Sequence, residues 1–190
     1  MSARGLGLSL FLVAASPAAA QELLFGAWAP VPDAAPAAEL PLRASARERA
    51  ALEPAADSEP PGMPAMLETT QAIEFEADAD RVVMRFAEWD TARTIYMNPR
   101  NGPPIQEHSP HGVSFGRWEG ETLAIFTTYI SYPYFDRRGT PQSRDVTVLE
   151  RYTPSADSAR LEWRVTVTDP ATFTAPVARR GAMAPAAAPD

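Results

Sequence analysis

The residues best suited to chemistry lie in a few short stretches. Glu107-His108-Ser109-Pro110-His111 gathers both histidines of the chain beside a carboxylate. Imidazole and carboxylate are donor types that hold zinc or copper, which makes His108 and His111 the candidate metal ligands. Pro110 breaks any helix that would align them, and no third strong ligand stands out, so the stretch also reads as an exposed polar loop. Glu150 is the candidate acid or base. Along Val146–Tyr152 it shares parity with Val146, Val148 and Tyr152, so a core-facing strand turns this carboxylate inward, where it must be paired or protonated. Arg85 or Arg93 on neighbouring strands is the expected partner. A pair of that kind serves either to orient a ligand or, more simply, to hold strand register.

Four aromatics are candidates for the wall of a binding site: Tyr96, Trp118, Tyr129 and Trp163. Each is also the kind of residue that fills a core. Tyr129–Phe135 is an aromatic run leaving a strand for a loop, either an exposed lip or a lid. Ser114 and Ser143 lie in no nucleophile elbow, and no cofactor motif is present.

What must position these groups is a set of strands. Arg160–Thr168 alternates strictly, with Leu161, Trp163, Val165 and Val167 on one face. Gln71–Ala77, Arg81–Glu88, Arg93–Met97, Gly116–Glu119, Thr122–Ile130 and Asp145–Thr153 continue the series, and Gly120-Glu121 is a two-residue hairpin turn. Short connections make antiparallel neighbours, and no crossover helix separates any pair. The expected fold is all-β: an antiparallel meander of about seven strands, strongly curved or closed into a small up-and-down barrel, with a sandwich as the alternative. The long connections Asn98–Phe115 and Ser131–Arg144 are where function is expected. Gly116 is expected at a bulge, and Arg117 with Glu119 in a solvated cross-strand pair.

The ends differ from this middle. Residues 1–20 read as a secretory signal, with Arg4 in a basic start, an apolar Leu6–Ala15 too short to span a bilayer, and Ala18-Ala19-Ala20 before the cut. The mature chain is thus expected in the periplasm or outside the cell. Residues 21–62 form an Ala/Pro-rich leader with a short helix near 42–52, residues 63–178 the β-domain, and residues 179–190 a disordered tail. The chain has no cysteine, which excludes disulfides and thiol chemistry. All basic residues are Arg, and the net charge of −7 shows no basic stripe to attract nucleic acid or anionic lipid.

Gly62–Met66, Arg93-Thr94-Ile95-Tyr96-Met97, Gly116-Arg117-Trp118-Glu119-Gly120-Glu121-Thr122-Leu123, Glu150-Arg151-Tyr152 and Asp169-Pro170 occur in that order. This series resembles a family of exported bacterial proteins without an established activity, over roughly residues 60–175. The resemblance is specific for family and implies no function. Ser58, Val113 and Gln142 stand where members commonly carry Cys or His, which marks a divergent member.

These features lead to a non-enzymatic binding or interaction module for a small apolar ligand or an envelope partner. The alternatives are an acid–base hydrolase or isomerase built on Glu150 with His111, and an envelope scaffold tethered by its leader.

Overall fold

The computed structural model describes residues 17–32, 39–52, 60–103 and 106–186. Most of the proposed signal, parts of the leader and the last four residues lie outside the described residues. Within them, nine strands close into one barrel in sequence order: β1 (Gly26–Pro30), β2 (Ile73–Asp78), β3 (Arg81–Phe86), β4 (Thr91–Tyr96), β5 (Val113–Glu119), β6 (Thr122–Thr128), β7 (Thr147–Pro154), β8 (Leu161–Thr168) and β9 (Val177–Pro185). The helices are α1 (Pro17–Leu24) and α2 (Ala44–Leu52), the latter where a short helix was expected. The meander closes rather than forming a sandwich, because β1 pairs with both β2 and β9 and no sheet edge is left open.

Two of the strands fall outside the expected β-domain. β1 lies in the leader and β9 runs through most of the residues assigned to the tail. Neither shows a long apolar alternation; both are Ala-rich with a closing proline, and only pairing with a twisted neighbour makes them strands.

Every neighbouring pair is antiparallel except β4 and β5, which are parallel and matched only at Ile95↔Ser114 and Tyr96↔Phe115. An odd number of strands cannot alternate direction around a closed ring, so one like-directed pair is obligatory. It falls at the long connection after β4, the only one between consecutive strands from β2 to β6 with enough chain to cross back. Elsewhere the register is continuous. The β5–β6 hairpin turns at Gly120 with φ of 63°, as its sequence requires. Gly116 sits in an unbroken ladder rather than a bulge; a Cβ there would lie 2.6 Å from Met97 Sδ and 2.7 Å from Ile95 Cγ2, so its role is close packing at the seam.

The interior follows the alternation. Ile73, Phe75, Val82, Met84, Phe86, Ile95, Leu123, Ile125, Val148, Tyr152, Leu161, Val165 and Val167 are all buried. One mouth is stopped by Pro61–Met66, every residue of which is buried, continuing into a 3-10 turn at Ala65–Glu68. The aromatic run behind β6 packs on this plug as a lid: Phe135 is buried against Phe173 at 5.0 Å, and Gln142 Nε2 donates to the carbonyls of Met63 and Tyr132 at 2.8 and 2.7 Å.

Two carboxylates fasten loops around the barrel. Burial works against the charge of Asp169, but the Ser143 N–H and hydroxyl, both at 2.7 Å, hold its pKa below the usual range. Glu88 is treated alike: burial opposes it, and the Thr70 N–H at 2.6 Å and Thr69 hydroxyl at 3.0 Å lower it. A carboxyl whose pKa is depressed by folding stabilises the fold above its unfolded pKa, and that contribution disappears as pH falls through the folded value. The urea midpoint should therefore be flat above about pH 5 and fall steadily below it, with a shallower acid limb in Asp169→Asn. An unchanged acid limb in that variant would show that Asp169 contributes nothing.

Candidate functional site

Inside the barrel a charged cluster crosses the lumen. Arg93 on β4 and Glu150 on β7 stand three strands apart on the ring, and their side chains are 2% and 0% exposed. Arg93 Nη2 donates to Glu150 Oε2 at 2.5 Å, and the Tyr152 hydroxyl donates to the same oxygen at 2.8 Å. The guanidinium also rests on two sulfurs, Met84 Sδ at 3.1 Å from Nη2 and Met63 Sδ at 3.3 Å from Nη1. The inward parity expected of Glu150 is present, and of its two proposed partners Arg93 is the one that meets it. Arg85 instead pairs with Glu76 at 2.9 Å on the outer face.

The cluster is built to stay as it is. Burial works against the charge of Arg93, but the Glu150 charge, Tyr152 and the hydrogen bond to Glu150 together outweigh it and raise its pKa. Burial and the same carboxylate push the Tyr152 phenol well above its usual range. Neither group releases a proton near neutral pH. Arg93 Nε and Glu150 Oε1 remain without partners among the described residues. The arrangement ties β4 to β7 across the interior.

A cavity of about 170 Å³ lies between the plug and the inner face of β8 and β9. Its walls are mainly apolar, made by Leu67, Phe135, Trp163, Val165, Val167 and Met183. Its one strongly polar edge is an ion pair of Arg179 with Glu68, and the Arg179 guanidinium stands 4.5 Å over the Phe135 ring. A second opening of about 230 Å³ follows the parallel seam, where β4 and β5 diverge, and is lined by Arg93, Thr94, Ser109, His111 and Ser114. Burial first, and the Arg93 charge second, lower the His111 pKa, so this imidazole is neutral at pH 7. Ser114 Oγ is hydrogen-bonded to Thr127 Oγ1 at 2.9 Å, both side chains buried.

The two histidines part company. His108 packs edge-on against the Tyr129 ring at 5.5 Å, while His111 turns into the seam beside a guanidinium. Among the described residues no group of three His, Asp or Glu side chains is close enough to hold a metal ion. The four candidate aromatics separate too. Trp118 and Trp163 lie on inward rows with Leu123 and Tyr152. Tyr96 faces outward at the seam opening, its ring tilted against Phe115 at 6.0 Å with Arg81 5.4 Å from it, and Tyr129 is 37% exposed. Only Trp163 lines the lumen cavity. Ser143 is occupied as a donor to Asp169.

Sequence reasoning missed Glu68, Phe135 and Arg179 as neighbours of one cavity. Glu68 and Arg179 are 111 residues apart, and the only available signal was the inward parity that Arg179 shares with Val177 on β9. Comparison with protein-family models, curated proteins and solved structures finds no match to this chain.

Proposed function

We propose that this barrel is a binding module for one small apolar molecule, held in the lumen between the plug and β8–β9. The observation that carries this reading is the cavity itself. Between the plug and β8–β9 the barrel leaves about 170 Å³ bounded by Trp163, Val165, Val167 and Met183. An apolar space of ~150 Å³ stays dry and accepts a single aromatic ring. The expected ligand is therefore ring-sized or a short aliphatic chain, with any polar atom turned toward Arg179.

The competing readings have less support. Glu150 lines neither the lumen cavity nor the seam, and its Oε2 is already engaged twice, so the acid–base reading loses the carboxylate it was built on and keeps only His111 at the seam. A tether running through the whole leader is at odds with the pairing of Gly26–Pro30 in the sheet. Family membership and export belong to the same proposal. In its favour, the segments that carry the resemblance supply Met63, Arg93, Glu150 and Tyr152 to one buried cluster. Mature protein recovered from an envelope fraction should begin at Gln21; a full-length mass there would overturn the export reading.

The test of binding uses indole and p-cresol in calorimetric or NMR titration of the purified protein. Ligands of this size should bind with Kd of about 0.1–1 mM, since each heavy atom of a small ligand contributes on the order of 0.5 kcal/mol. Val165→Phe fills the cavity and should weaken binding at least about tenfold, while overpacking costs ~1–3 kcal/mol of stability. Absence of binding in the natural sequence, or equal binding in a folded Val165→Phe variant, would overturn the proposal.

A further inference from the structure

The outer face of the barrel carries a charge pattern that the fold does not need. Register sets Arg151 opposite Arg164 across β7–β8, and Arg164 opposite Arg180 across β8–β9. Directly opposed side chains on adjacent strands stand about 5 Å apart at Cβ, where like charges repel and destabilise the sheet. Two carboxylates lie beside this row, and each is turned to another arginine or to its outermost member. Glu119 pairs with both Arg151 and Arg117, and Glu162 meets Arg160 at 3.5 Å. Arg164 and Arg180 are exposed and pair with no carboxylate among the described residues. The chain has 24 acidic residues against 17 basic ones, and none of the described carboxylates pairs with either of these two. The expectation that no basic stripe exists is thereby corrected: three strands assemble one from arginines that are far apart in sequence.

The row borders a concavity of about 610 Å³ on the same face, floored by Thr122, Thr153, Glu162 and Ala182 and closed on one side by Val31-Pro32; Glu162, the one carboxylate among its lining, is turned to Arg160. We propose that this concavity binds a small molecule carrying two or more oxyanion groups about 5 Å apart, the spacing of neighbouring strands. Arg164 and Arg180 are the principal contacts, and Arg151 is a third. Guanidinium matches phosphate, sulfate and carboxylate with the same two-pronged donor geometry, so the shared chemistry is a multivalent oxyanion. The occupant is small for two reasons. Glu119 and Glu162 bound the row, and the net charge of −7 repels an extended polyanion or an anionic bilayer beyond the first contacts. This site shares no polar contact with the lumen cavity, and it stands whether or not that cavity binds a ring.

The experiment titrates the full-length mature protein, in EDTA-containing buffer, with tripolyphosphate, tricarballylate and a disulfated disaccharide. Inorganic phosphate, a duplex DNA oligonucleotide and phosphatidylglycerol vesicles serve as comparators. At least one small multivalent anion should bind ten times or more tightly than inorganic phosphate, and which of the three does so identifies the oxyanion. Binding should weaken as salt is raised. Arg164→Gln combined with Arg180→Gln should weaken it at least tenfold while leaving the melting temperature equal or higher, because repulsion is relieved. A purely structural role for these arginines predicts the opposite sign in melting. The proposal falls if no small multivalent anion binds, if inorganic phosphate binds equally well, if the double variant binds as before, or if DNA or vesicles bind as tightly as the best small anion.

Discussion

Glu150→Gln should lower the melting temperature by about 10–15 °C. Arg93 and Glu150 are both withdrawn from water, and the carboxylate is the one ionic partner of the guanidinium among the described residues. Removing one member of such a pair leaves the other buried and uncompensated, at a cost of roughly 3–5 kcal/mol. For a chain of this length each kcal/mol moves the midpoint by ~2–4 °C. Replacing both members is a different matter. Arg93→Met with Glu150→Gln removes both charges and keeps an amide oxygen to accept from the Tyr152 hydroxyl, so it should recover most of the loss. The comparison separates a structural pair from a catalytic one, because a general base changed to Gln loses turnover without losing stability. A single variant that melts within ~2 °C of the natural sequence would remove the pair from any structural role.

The second large effect belongs to Gly62. A Cβ at this position would sit 2.3 Å from the Pro110 carbonyl oxygen and 2.4 Å from Tyr132 Cβ. The first is main chain, and the Met63 N–H donates to that same oxygen at 2.9 Å, so it cannot swing aside. Gly62→Ala must push the plug out of the mouth or displace the loop that packs on it. Overpacking of this kind costs ~1–3 kcal/mol or somewhat more, and the plug is one wall of the lumen cavity. Both the melting temperature and the binding of ring-sized ligands should fall, the latter by tenfold or more. Gly120→Ala is the matched control. Nothing lies within 4 Å of a Cβ there, and only the positive φ opposes it, so it should cost about 1 kcal/mol and leave binding intact. Equal behaviour of the two variants would show that the plug is not closely seated.

Much of the barrel was legible in the chain because alternation is a local property. Leu161, Val165 and Val167, or Val82, Met84 and Phe86, declare their common face without reference to any other strand. The inward turn of Glu150 followed from the same rule. Arg85 and Arg93 both stand as its expected partner, although the same alternation turns Arg85 outward on β3 and Arg93 inward on β4; that β4 comes within reach of β7 is set by the curvature of the ring. The aromatic candidates failed as a set for a related reason. Tyr96 and Trp163 are alike as residue types, but one lies on the even row of β4 facing out and the other on the inward row of β8.

The sequence alone determined the strands from β2 to β8, their inward faces, the hairpin at Gly120 and the charge buried at position 150, since each is set by neighbours within a few residues, whereas β1 and β9 became strands only by pairing. Closure, the single parallel seam, the lumen cavity and the row Arg151–Arg164–Arg180 were decided only in three dimensions. Each of these depends on which strand lies beside which and in what register. Register is fixed by packing and ring closure across long stretches of chain, and no local pattern of residues carries it.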